Sequence, residues 1–173
     1  MLKKILLIFI FLSLTINVLK AEEKVSYIDI DYVLTNTIAG KQLLNNLKKE
    51  EELKIKKFKL NDDNFKNEEK KILAKKNLIS KEDINKELKL LKIEFDNYRK
   101  EKTNEIEKFK NKRNKNIINF LNLINPIIEK YMADNSIYML IDKKNVFIAS
   151  KDFDITNNLI ELINNKIKIV EIK

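Results

Sequence analysis

The feature that most constrains this chain is a long, lysine-rich stretch of helical periodicity enclosed between two short β-favouring ends. Ile84, Leu88, Leu91, Phe95 and Tyr98 recur at spacings of 4, 3, 4 and 3, which places them on one stripe of a helix. The ends read differently. Val25-Ser26-Tyr27-Ile28-Asp29-Ile30 alternates in the manner of a strand, and residues 138–141 and 146–149 are short apolar runs joined by the polar turn Asp142-Lys143-Lys144-Asn145, the pattern of a β-hairpin. A chain that leaves a small sheet, travels far as helix and returns to the same sheet builds an arm on a compact head. The expected class is α+β, a small β-body with a long α-helical coiled-coil hairpin arm.

Within the arm, Leu44, Leu47, Leu53, Ile55 and Phe58 supply an irregular apolar stripe from Gly40 to about residue 76. Asn61-Asp62-Asp63-Asn64 are poor helix formers at one place and predict a local kink or a frayed turn. The strongest break is Asn77-Leu78-Ile79-Ser80, because Ser80 followed by Asp83 makes a weak capping box that starts a second helix. Its stripe continues through Ile106, Phe109, Ile117, Phe120, Leu121 and Ile124, interrupted by Lys102 and Arg113. Two helices of about 40 residues folded back on each other give an arm roughly 60 Å long. Pro126, the only proline, predicts a kink where the arm enters the head. Thr156 reads as the N-cap of a last short helix carrying Leu159, Ile160 and Ile163, and residues 166–173 either pair as an edge strand or fray.

The first residues are Met1-Leu2-Lys3-Lys4, followed by a mostly apolar run from Ile5 to Ile16 and a small residue at Ala21. This is the pattern of a signal peptide over residues 1–21, and the run is too short for the roughly 20 residues a spanning helix needs. One domain over 22–173 is left, with a head of 25–39 and 132–165 and a helical arm of 40–131. Cysteine and histidine are both absent, so neither disulfides nor a zinc site can staple the head. Its β-bearing parts amount to about 40 residues, a size at which a lone core is marginal. Association is the expected source of further buried apolar area, with Tyr27, Ile28, Ile30, Leu140, Ile141, Val146 and Ile148 as candidate interface residues; alternatively the arm bases complete the core within one chain.

The same composition argues against an enzyme. A single glycine cannot build a phosphate-cradling loop, and the usual general base and thiol nucleophile are missing, so no catalytic residue, metal or cofactor is expected. The formal charge is +9, and residues 41–116 alone hold 24 basic against 15 acidic side chains. A positive arm favours an anionic partner, although lysines also serve simply to solubilise an exposed helix. Lys70, Lys71, Lys75, Lys76 and Lys81 near the inferred tip, with Arg99, are the candidate client- or anion-binding residues.

Residues 25–34 followed by Ala39-Gly40-Lys41, and residues 138–142, 146–149 and 154–156 at the other end, together resemble the Skp, or OmpH-like, periplasmic chaperones. The likeness spans the mature chain, in character more than identity over the arm. Two departures stand out: Asn135-Ser136 where a glycine often precedes the hairpin tyrosine, Asn135 being suited to a left-handed backbone, and Lys151-Asp152 in place of a commonly proline-containing stretch. The resemblance implies a homotrimer whose heads form the β-body and whose arms hold unfolded outer-membrane proteins without nucleotide hydrolysis, in the periplasm. It adds anionic lipid or lipopolysaccharide as a further partner, with no site that can be placed residue by residue. The competing reading is a secreted basic coiled-coil protein that binds anionic lipid or nucleic acid, the latter disfavoured by the secretion signal.

Overall fold

The computed structural model describes residues 24–169. The expected signal peptide and its cleavage point lie outside them. Strand β1 (Lys24–Ile28) leads into a two-turn helix α1 (Ile30–Asn36), then into α2 (Ile38–Ala74), a short 3-10 turn (Lys75–Asn77) and α3 (Lys81–Asp134). The chain returns as β2 (Ile137–Asp142), passes two further 3-10 turns (Lys143–Asn145 and Lys151–Phe153) and ends in α4 (Thr156–Lys166). The 54 residues of α3 extend about 80 Å at 1.5 Å per residue, and the 37 of α2 about 55 Å, so the arm is of the expected scale.

Local chemistry sets the boundaries. Asp29 caps α1 by accepting from the Tyr32 amide at 2.9 Å, and Thr37 caps α2 by accepting from the Gly40 amide at 3.2 Å. The arm turns over where expected: Ser80 accepts from the Asp83 amide at 3.1 Å while its hydroxyl donates to the Asp83 carboxylate at 2.6 Å. At neither of the two expected irregular points does the helix end. α2 runs unbroken through Asn61-Asp62-Asp63-Asn64, and α3 continues past Pro126 to Asp134. Thr156 is not a cap but the first residue of α4; the Asp154 carboxylate accepts from its amide at 3.0 Å, and its own hydroxyl accepts from the Asp29 amide at 2.9 Å, tying the last helix to the first turn.

The sheet differs from the expected hairpin. β1 pairs with β2 in parallel, Val25 opposite Met139 and Ile28 opposite Asp142, with an irregularity between Lys24 and Val25. Residues 146–149 form no strand; Phe147 is fully exposed and Ile148 is 86% exposed. Within the chain β2 spends one edge on β1, whose other edge is covered by Asp154 and Ile155. The outer edge of β2 pairs with no strand among the described residues.

One core holds head and arm together. Phe120, Ile124, Leu43 and Leu47 from the arm bases pack with Val33, Ile28, Leu159 and Ile163 of the head. The arm bases therefore complete the core within one chain, and the small size of the head is no longer the reason to expect association. Ile28 is spent on this core, so among the candidate interface residues it is the one with no surface to offer a partner.

A left-handed residue closes α3, and it is Ser136, with φ 54°, not Asn135. Asn135 instead keeps a negative φ of -110° and its side-chain amide donates to the Tyr131 carbonyl at 2.8 Å. Serine in that region is strained by its Cβ where glycine is not. Ser136→Gly is expected to stabilise the protein by about 0.5–1 kcal/mol, read as a raised urea midpoint; a lowered midpoint would show that the Ser136 side chain contributes more than its backbone costs.

Candidate functional site

Above the shared core, the two arm helices touch through polar contacts as much as apolar ones. Four ion pairs cross the hairpin in antiparallel order: Glu50 with Lys112 at 2.9 Å, Lys54 with Glu105 at 2.8 Å, Asp62 with Lys102 at 2.7 Å and Lys75 with Glu87 at 2.8 Å. Each is partly exposed and worth little alone, about 0–1 kcal/mol, but only one sliding position of the helices satisfies all four. They fix register. Between Leu47 and Ile72 on α2, and between Ile84 and Asn116 on α3, no side chain is fully buried, so the middle of the arm is a seam left half open.

At its centre stands an aromatic cluster. Phe65 meets Phe95 edge to face at 5.2 Å between centroids and Tyr98 at 5.3 Å, and the Tyr98 hydroxyl donates to the Phe58 carbonyl at 3.0 Å. The Lys102 ammonium lies 5.5 Å from the centre of the Phe58 ring and 5.7 Å from that of Tyr98 while bonding Asp62. This is why α2 stays helical at its weakest-propensity point: Asp62 is held from the opposite helix.

The ion pairs set the charge states. Lys102, by hydrogen-bonding Asp62, holds that carboxyl below the usual carboxylate range, and Lys54 does the same to Glu105. The Lys102 ammonium is held above the ordinary lysine value, first by the bond to Asp62, and burial pushes the Tyr98 phenol up. A depressed carboxyl binds fewer protons folded than unfolded, so its contribution is in place above about pH 4 and is lost as pH falls through the depressed values. Acidification from about pH 6 to about pH 3 is expected to loosen the mid-arm before the core around Phe120, seen as faster amide exchange at 54–62 and 98–105 after correction for intrinsic rates. Equal acceleration in arm and core would contradict it.

The six basic candidates separate into two groups. Lys70, Lys71, Lys75, Lys76 and Lys81 gather at the exposed tip, but Lys71 is bonded to Glu68 at 2.6 Å and Lys75 to Glu87, leaving Lys70, Lys76 and Lys81 without ion pairs among the described residues. Arg99 lies elsewhere, 18 positions along α3 from Lys81 or about 27 Å. It borders a groove of about 790 Å3 between the helices, beside the aromatic cluster. Phe65, Leu88, Leu91 and Phe95 line that groove, and the last three lie on the helical stripe read from the sequence. Of the interface candidates, Tyr27, Ile30, Leu140, Ile141 and Val146 are half-buried and Ile148 is open, clustered around β1, β2 and the segment after it. Among the described residues there is no group of side chains fit to hold a metal ion and no helix long and apolar enough to cross a membrane.

A strand pair closed by a long helical hairpin is also the architecture of a crystal structure from Caulobacter crescentus assigned as an OmpH-like outer membrane chaperone. The two superpose with a TM-score of 0.76 at 17% identity, covering 85% of this chain and 87% of the other, a likeness of fold. No curated protein sequence matches significantly. The family model described as outer membrane protein (OmpH-like) matches residues 24–163, from the first residue of β1 to the last core isoleucine of α4, and the chain accordingly belongs to the OmpH-like family.

Proposed function

We propose that this protein is an ATP-independent holdase of the periplasm, exported by a cleaved signal over residues 1–21, which keeps unfolded outer-membrane proteins from aggregating by engaging them along its arms. The observation that carries this reading is the distribution of open apolar side chains on the arm. Leu53, Ile55, Leu60, Leu78, Leu90 and Ile93 are all exposed and are interspersed with lysines. They are spread along both helices of the arm and are not gathered at one point. Dispersed weak contacts retain a chain because each bound segment raises the local concentration of the next, and release needs no nucleotide. Family membership and the assigned role of the structurally similar protein support the chaperone class.

The mature chain, 22–173, acts in this reading as one domain and assembles as a homotrimer through its head. The unpaired edge of β2 and the exposed Phe147 and Ile148 are what a neighbouring copy would cover, with Tyr27, Ile30, Leu140, Ile141 and Val146 beside them. The exposed tip cations Lys70, Lys76 and Lys81 would steer acidic clients, or meet anionic lipid or lipopolysaccharide.

The test is native mass measurement of the mature protein with and without an unfolded outer-membrane barrel protein, alongside light scattering of that client on dilution from urea. A trimer that takes up one client and suppresses scattering at equimolar ratio is expected. Ile148→Asp should yield folded monomers, because the side chain is open in the single chain, whereas a burial-disrupting Ile28→Asp should unfold the head. Undiminished scattering at both low and high salt would defeat the holdase reading, and a trimeric Ile148→Asp variant would defeat this interface.

A further inference from the structure

We infer that the groove halfway along the arm recognises an extended polypeptide segment in which a large apolar side chain, preferably aromatic, stands next to a carboxylate. This rests on the holdase reading and gives its arm a substrate class. The lining supplies the apolar half. Phe65, Leu88, Leu91 and Phe95 are each only half-buried, so every one of them presents surface that the opposite helix leaves uncovered, in a concavity of about 790 Å3. That volume receives a ring and its neighbours, and an added ring can meet Phe65 and Phe95 edge to face as they meet each other.

The rim supplies the charge. Asp62 is neutralised by Lys102, and Lys66 approaches Asp63 no closer than 4.0 Å. Among the described residues Lys92 and Arg99 make no ion pair, and of the two acids lining the groove Glu69 makes none either. The uncompensated charge is positive, and Arg99 offers a planar fork suited to a carboxylate. Because the walls are the middles of two helices, their backbone amides are already bonded within each helix. Recognition is therefore by side chains alone, which tolerates any sequence that keeps the apolar–acidic pairing and discriminates against a basic neighbour.

The experiment uses the full mature chain and three capped decapeptides of serine and glycine carrying Phe-Asp, Ala-Asp or Phe-Lys at the centre. The protein has no tryptophan, so Phe95→Trp places a single reporter in the groove; fluorescence anisotropy of labelled peptides on the unsubstituted protein gives an independent measure. The Phe-Asp peptide is expected to bind saturably and shift the reporter to the blue. Binding should weaken by about tenfold for Ala-Asp and about three- to fivefold for Phe-Lys. Arg99→Gln should remove most of the Asp-over-Lys preference while leaving the Phe-over-Ala preference. Equal binding of the three peptides, or Phe-Asp binding in anisotropy with no reporter shift, overturns the assignment. So does a reporter that responds to dodecanoate and to no peptide, which makes the groove an amphiphile site. Client-aggregation assays run in parallel separate the two ideas: suppression without groove selectivity sinks this site alone, and groove selectivity without suppression sinks the holdase reading alone.

Discussion

Phe120→Ala is expected to remove about 3–5 kcal/mol of stability, a large part of the 5–15 kcal/mol typical of a folded domain. Phe120 is fully buried and is the largest such side chain among the described residues, with Leu43 and Ile124 of the arm bases and Val33, Leu159 and Ile163 of the head in the same cluster. Its loss leaves a cavity that rigid helices on several sides cannot collapse to fill. Urea unfolding at fixed protein concentration measures the effect, since association would itself shift the midpoint. Phe95→Ala, at a half-open position on the arm, should cost well under half as much. A Phe120→Ala cost below about 1.5 kcal/mol would mean that head and arm do not share one core.

The second large effect reverses a usual sign. In an ordinary helix, glycine to alanine gains about 1 kcal/mol. Gly40→Ala is expected instead to cost about 1–3 kcal/mol. An added Cβ at this position would be driven into the Leu34 carbonyl oxygen and would lie 2.7 Å from the Thr37 hydroxyl that caps the same helix. The obstructing atom is backbone, at the tight joint where α1 passes into α2, and cannot rotate away. The change should therefore re-aim the first turn of the arm as well as lower the unfolding midpoint; a stabilised Gly40→Ala protein would show that the joint yields easily.

Features with local causes were legible in the residues. The turn at the arm tip follows from Ser80 and Asp83 being three apart, and the apolar stripe of α3 follows from spacing alone. What escaped depends on partners distant in sequence. Asn61-Asp62-Asp63-Asn64 looks like a frayed turn until Lys102, 40 residues away, is known to hold Asp62 within an unbroken helix. Residues 146–149 look like a strand because apolar content is the same whether or not the segment pairs, and here they leave the outer edge of β2 open. Pro126 forfeits a hydrogen bond, yet the buried Ile124, Ile127 and Ile128 on either side hold α3 together through it. The basic candidates show the same limit: composition fixes the sign of the arm's charge, but only geometry separates Lys71 and Lys75, already engaged by glutamates, from Arg99 at the rim of a groove.

The parallel pairing of β1 with β2 also dictates an order of assembly. Val25 and Met139 are neighbours in the sheet with the entire arm between them, so a chain threaded out from its N-terminus cannot close the sheet until more than a hundred further residues have followed. Closing a disordered loop of that length is entropically expensive and slow. A helical hairpin removes most of that cost, because once α2 and α3 zip from the turn at Ser80 their far ends arrive side by side. The arm is thus the device that brings the two strands together, and its cross-helix ion pairs decide in which alignment they meet. Deleting equal lengths from α2 and α3 would leave the strands aligned and refolding brisk, whereas deleting a segment from one helix alone would strand β1 and β2 out of step.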